Sequence, residues 1–292
     1  MVLMSWTLDV GALVAMTIVG AVYFGSRRAA GTAVTRGQAC CFAAGLVVWA
    51  LATFSAVGVY APVLFWVRAL QVLLLLFGAP LLLALGRPVA VVQAGSRLGR
   101  RIVDRGLCSP VVRFAASPMV TSIAMLATPW LLYLTPWYVA SMTGPLAAST
   151  RFVLLMVGFG YFYARLQADP VPRRYSPLLS LGISVMESLA DGLLGVVLWL
   201  GPIIAVDYYV ALQRDWGPSQ RVDQSIGAGI LWIVGDVVGI PFVLVLMRAL
   251  GRDERRKAAL VDAELAAAPA DSATSTLWWE SDPVLRERFG LR

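Results

Sequence analysis

The chain contains no histidine. That excludes histidine-ligated haem, histidine-built zinc and copper centres, and nucleophilic catalysis through a Ser–His or Cys–His pair. Lysine is nearly absent as well: Lys257 is the single one and lies outside every apolar run. A retinal Schiff base, which needs a lysine within a membrane helix, is therefore excluded. The three cysteines, Cys40, Cys41 and Cys108, are too few for a disulfide framework. Charge is scarce, at 14% of residues against about a quarter in an ordinary soluble domain. No P-loop, dinucleotide-binding or membrane-protease motif occurs.

What is present is apolar: 59% of the residues, arranged in repeated runs. Several exceed the ~18 residues that mark a membrane-spanning helix. The pattern predicts an all-α polytopic membrane protein with seven spans, at about residues 8–24, 39–60, 63–85, 119–138, 150–166, 178–204 and 226–250. The opening MVLMSWTLDV holds Asp9 and no basic residue, which argues against a cleaved signal peptide and predicts a retained first helix.

Arginine sets the expected orientation. Arg27, Arg28 and Arg36 follow the first run; Arg87, Arg97, Arg100, Arg101, Arg105 and Arg113 follow the third; Arg173 and Arg174 follow the fifth; Arg252, Arg255 and Arg256 follow the last. With seven spans all of these fall on one side, which the positive-inside rule assigns to the cytoplasm. The N-terminus is then outside and the tail inside. On this reading the net charge of +7 faces lipid headgroups, not nucleic acid.

Two regions are expected: a transmembrane domain over 1–251, and a charged helix with a mobile tail over 252–292 that includes Trp278 and Trp279. The connection 87–117 mixes arginines with apolar residues, which predicts a helix lying at the membrane surface or a solvated linker.

The stretch FWVRALQVLLLLFGAPLLLALGRP, residues 65–88, organises the rest. It is long and apolar enough to span, yet carries Arg68, Gln71 and Pro80. An arginine within a spanning helix costs at least ~2.5 kcal/mol, so it normally faces a protein interior and a partner. The other charges inside apolar runs are Glu187, Asp191 and Asp236, with Arg151 at an edge. Glu187 and Asp191 are four residues apart and share a helix face, about 6 Å apart along the axis at ~1.5 Å per residue. These groups read either as a proton or cation pathway or as an ion-pair and hydrogen-bond network that fixes packing. Cys40, Cys41 and Cys108 are weak candidates for a thiolate metal site, because adjacent helical cysteines point about 100° apart.

Several stretches together resemble one family, the CtaG-like cytochrome c oxidase assembly factors. They are FAAGLVVWALATFSAVGVYAPVLF; QVLLLLFGAPLLLALGRP with Gln71, Pro80, Gly86 and Pro88; DPVPRR with Asp169, Pro170, Pro172 and Arg173; VDQSIGAGILWIVGD with Asp223, Gln224, Gly229 and Trp232; and RDER. The resemblance implies a seven-helix bacterial plasma-membrane protein linked to copper delivery to a respiratory oxidase. It also implies a departure. Where the family has two histidines in its third span, each followed by methionine, this chain reads Arg68-Ala69 and Val72-Leu73. Further family histidines fall near Ala147, Val153 and Asp191. With those presumed copper ligands absent, no cofactor and no enzymatic activity are expected. The expected role is a non-catalytic assembly or scaffold function, with an oxidase or another assembly factor as partner. The alternatives are a small transporter or proton-pathway protein using Asp191, Asp236 and Glu187, and a purely structural membrane subunit. Because the family histidines share a site, Arg68 is expected to pair with Asp191 or, failing that, with Asp236.

Overall fold

The computed structural model describes residues 6–31, 35–167, 169–171 and 177–267. Among these residues every regular element is a helix. Pro172, Arg173, Trp278 and Trp279, and with them the expectation of a mobile tail, lie outside the described residues. The chain divides between Met247 and Arg248 into a large unit and a smaller C-terminal one.

Five helices are long and apolar enough to cross a membrane: α1 (Val10–Ala30), α2 (Arg36–Tyr60), α3 (Phe65–Leu85), α9 (Gly144–Leu166) and, within α10 (Pro177–Leu200), the stretch Leu181–Leu200. Between α3 and α9 run α4 (Pro88–Gly95), α5 (Arg97–Cys108), α6 (Pro110–Ala115), α7 (Pro118–Leu134) and α8 (Trp137–Ala140). After α10 come α11 (Val206–Ala211), α12 (Gln220–Gly229), a π-helical turn Ile230–Val234 and α13 (Gly235–Ala267).

The fourth and seventh expected spans take other forms. Residues 119–138 give the shorter apolar helix α7, which Thr135 and Pro136 end before α8 begins. Residues 226–250 fall in the interrupted run α12, π-turn and α13. The connection 87–117 is folded into α4, α5 and α6, begun by Pro88 and Pro110 at helix starts and by the Ser96 side chain, which accepts from the Gly99 N–H. On α5 and α6, Leu98, Ile102, Val111 and Phe114 are exposed beside five arginines.

Helix α3 is the axis of the large unit. Of its most apolar stretch 72% is buried, against 11% for α1 and 39% for α9. Helix α2 packs along its second half, α12 along its first half, and α9 along its middle and second half. The middle of α3 is a π-helical turn, Leu74–Gly78, followed at once by Pro80. Proline has no N–H to return to the Leu76 carbonyl one turn back. Gly158 of α9 lies against that carbonyl: a Cβ there would stand 2.0 Å from the Leu76 oxygen and 2.7 Å from the Pro80 ring. Absence of a side chain is what lets these two backbones meet.

In the C-terminal unit the part of α13 after Met247 is a charged helix on which Lys257 donates to Glu254 at 3.0 Å.

Candidate functional site

Two polar groups lie inside the large unit, and α3 runs past both. The first gathers at the start of α3. Arg68 and Gln71 are 2% and 1% exposed. One Nη of Arg68 donates to Gln71 Oε1 at 2.8 Å, and the other to Ser141 Oγ at 2.7 Å. Gln71 passes the chain of bonds to α2 by donating to the Ala52 carbonyl at 2.8 Å. Ser141 donates to the Tyr138 carbonyl. The rings of Phe65, Tyr133 and Tyr138 pack on one another with centroids 5.3–5.6 Å apart, and the Tyr138 and Tyr209 hydroxyls share a 2.7 Å hydrogen bond.

The second group lies between α9, α10 and α13. Arg165 of α9, 1% exposed, donates to Glu187 at 3.3 Å and to Ser122 Oγ at 2.8 Å. Its guanidinium stands over the Tyr161 ring, 4.9 Å from the centroid. The Tyr161 hydroxyl donates to the second Glu187 oxygen. Ser188 donates to Asp236 at 2.6 Å. Glu187, Asp191 and Asp236 line a cavity of about 260 Å³ with Phe77, Tyr161 and Phe162. Asp191 also borders a second small cavity with Val72, Leu73, Leu76 and Phe77 of α3.

The expected pairing of Arg68 with Asp191 or Asp236 is therefore corrected. Arg68 takes its bonds from the neutral acceptors Gln71 and Ser141, and Gln71 faces the guanidinium and not a carboxylate. The apolar side chains of Val72, Leu73 and Leu76 occupy the next turns of α3, and it is there that Asp191 approaches the helix. The cation beside the carboxylates is Arg165, which sequence reasoning missed. An arginine at the end of an apolar run ordinarily reads as an interface residue. The available signal was Tyr161 one turn earlier, a residue that can stack on a guanidinium.

The motif residues make long-range clasps. Asp223 accepts the backbone N–H groups of Phe65 and Trp66, which open α3, and Arg214 at 3.3 Å. Gln224 accepts from the Ile204 N–H and donates to the Leu198 and Pro202 carbonyls, closing the end of α10. Asp169 accepts from Val89 and Ala90 at the start of α4. Burial pushes the Asp169 carboxyl above its ordinary pKa, and those two N–H groups with Arg87 offset only part of that. The Pro170 carbonyl accepts from the Tyr163 hydroxyl, and the Gly86 carbonyl from the Tyr23 hydroxyl. Pro88 opens α4. Trp232 stands against Gly192 and Gly195 of α10, whereas Gly229 has open space where a side chain would go. At the other end of α9, Arg151 is bonded to Asp9 at 2.6 Å.

A bound copper ion does not fit these residues. Among the described residues no three His, Cys, Asp or Glu side chains form a group able to hold a metal. Cys40, Cys41 and Cys108 do not converge; Cys40 and Cys108 are exposed. Position 68, where the resemblance places a ligand, holds a guanidinium, which carries no free lone pair and repels cations.

Comparison with known proteins gives relatives and a family. The chain is 26% identical over 277 residues to an uncharacterized protein of Mycobacterium leprae (strain TN), covering 91% of this chain and 41% of the relative. It is 27% identical over 278 residues to uncharacterized proteins of Mycobacterium bovis (strain ATCC BAA-935 / AF2122/97) and Mycobacterium tuberculosis (strain CDC 1551 / Oshkosh), covering 89% of this chain and 42% of each. The chain thus spans about two fifths of the length of the curated relatives it matches. No solved structure matches. The model of the cytochrome c oxidase caa3 assembly factor family matches residues 18–253, most of the chain, and the protein belongs to that family of membrane proteins.

Proposed function

We propose that this chain serves the assembly of a respiratory haem–copper oxidase as a non-catalytic membrane scaffold, without itself holding copper. The family match over residues 18–253 carries the reading. Supporting it, the family-motif residues Asp169, Asp223 and Gln224 are engaged in joining helices. The absence of histidine favours a holding role over a metal-transfer one. The proposed setting is a bacterial plasma membrane crossed seven times, with α7 and the α12–α13 run completing the five longer helices. The N-terminus is then outside and the C-terminal unit in the cytoplasm. Anionic lipid headgroups meet the arginines of α5 and α6.

Co-purification from native membranes tests it. Oxidase subunits are expected with the tagged chain, and deletion is expected to lower the spectroscopically visible oxidase. An unchanged oxidase in the deletion strain, with no subunit retained on the tag, would reject the role. Tail reporters test topology separately: a C-terminal reporter active only outside the cytoplasm rejects the orientation.

One observation favours a second reading, a transporter. Glu187, Asp191 and Asp236 share a single cavity. Proton or cation flux in proteoliposomes that falls in Asp236→Asn would support it, and no flux above protein-free vesicles would discard it.

A further inference from the structure

Arg68 is a buried cation whose partners are all neutral. Of its five N–H groups, one is taken by Gln71 and one by Ser141. Its Nε is buried without a hydrogen-bond partner. So is the hydroxyl of Tyr133, a side chain 1% exposed. Among the described residues Arg68 forms no ion pair, and Tyr133, Tyr138, Tyr209 and the like-charged Arg151 are among the groups that act on it. Arg151 is occupied by Asp9, and the carboxylates of Glu187 and Asp236 are bonded to Arg165, Tyr161 and Ser188.

A water molecule would satisfy a donor but would leave the charge uncompensated. Burying a full charge unpaired is far more costly than burying an unpaired dipole. Arg68 Nε–H on α3 and the Tyr133 hydroxyl on α7, which acts on the same charge, are two buried donors suited to an acceptor of negative charge. The enclosed position, with Arg68 and Tyr133 both nearly inaccessible, favours a small one.

We propose that the start of α3 holds a small monovalent anion, chloride in the cell, accepted between Arg68 Nε and the Tyr133 hydroxyl. The anion neutralises the guanidinium and ties α3 to α7. Gln71 and Ser141 engage the two Nη groups, leaving Nε–H for the ion. The site does not depend on the assembly role.

The test uses the full chain in detergent micelles at constant ionic strength, with sodium chloride, bromide or gluconate as the salt. Chloride and bromide are expected to raise the melting midpoint by about 3 °C or more over gluconate, because a ligand that binds only the folded state stabilises it. ³⁵Cl NMR is expected to show line broadening that bromide displaces. Tyr133→Phe, which removes one donor and keeps the ring, is expected to weaken the half-saturating chloride concentration about tenfold. Arg68→Met is expected to abolish the dependence. Equal melting in chloride and gluconate with no displaceable broadening overturns the proposal. So does a halide effect of the same size in Tyr133→Phe as in the wild type. If Arg68→Met does not fold, the wild-type and Tyr133→Phe titrations decide alone.

Discussion

Asp223 accepts hydrogen bonds from the backbone N–H groups of Phe65 and Trp66, at 3.1 and 2.9 Å, across 158 and 157 residues of chain. It thereby does for α3 what an N-cap side chain does locally, from a different helix. The cap is 1% exposed and also accepts from the Arg214 guanidinium at 3.3 Å, so its bonds are buried and reinforced by a neighbouring charge. Asp223→Ala is expected to destabilise the protein by about 2–3 kcal/mol. Asp223→Asn, which keeps one acceptor and loses the charge, should lie between. Thermal unfolding of the purified variants in one detergent measures both.

The Arg165–Glu187 pair gives a second test. The Arg165 side chain is fully buried and that of Glu187 is 12% exposed, so removing either partner takes an ionic contact from a buried charge. Single changes, Arg165→Met or Glu187→Gln, are expected to cost about 3–5 kcal/mol, and the double change less than their sum. A double-mutant cycle with no coupling would show that the pair holds nothing together.

Glycines supply a paired comparison within one helix. Gly158 meets the Leu76 carbonyl, whereas a Cβ on Gly160 would meet nothing within 4 Å. Gly158→Ala is expected to lose about 1–3 kcal/mol through forced separation of α9 from α3. Gly160→Ala should be neutral or slightly stabilising, since alanine is the better helix former. Equal effects at the two positions would refute the close approach.

The Asp9–Arg151 contact predicts a pH dependence. Burial pushes the Asp9 carboxyl up, but the Ala12 N–H and the Arg151 guanidinium outweigh it and hold the pKa below its ordinary value. A carboxyl whose pKa is depressed on folding stabilises the protein above its unfolded-state pKa. That contribution is lost as the pH falls through the lower, folded value. The wild type should therefore lose its advantage over Asp9→Asn as the pH is lowered below the carboxylate range, and keep it at neutrality. Melting curves of both proteins across that range check the sign.

Metal content is the last. The purified chain is expected to carry well under ~1 copper per molecule, since position 68 holds a cation and no three described His, Cys, Asp or Glu side chains form a metal-holding group. Elemental analysis after dialysis against a weak chelator decides. One tightly held copper that survives replacement of Cys40, Cys41 and Cys108 by serine would reverse the conclusion.

The helical class and the centrality of α3 are legible from the apolar runs, because a lone arginine, glutamine and proline in such a run mark a helix surrounded by protein. The clasp roles of Asp223, Gln224 and Asp169 are not legible. Each acts on backbone groups far away in the chain, and nothing local in VDQ or DPV announces which helix end it serves. Arg68 was visible as an anomaly, but its surroundings were not: Ser141 lies in a short connection, and the apolar run that holds Tyr133 gives no sign of which side chain meets α3. The pairing with Asp191 failed because a shared site in a resembling family says little about depth. In this chain Val72, Leu73 and Leu76 intervene.

The π-helical turn of Leu74–Gly78 has a consequence for which changes the chain tolerates. Such a turn holds one residue more than the α-helix on either side can accommodate. The two halves of α3 are therefore phased by that surplus residue, with Arg68 and Gln71 set on one side of it and Pro80 and Leu83 on the other. Losing one residue from 74–78 would let the helix regularise with its two halves in nearly their present phase, because the wide turn is what absorbs the surplus residue. Leu83 would stay near Gly45 and Pro80 near Gly158. The segment should thus accept a one-residue deletion more readily than a one-residue insertion, which would rotate the second half by about 100°.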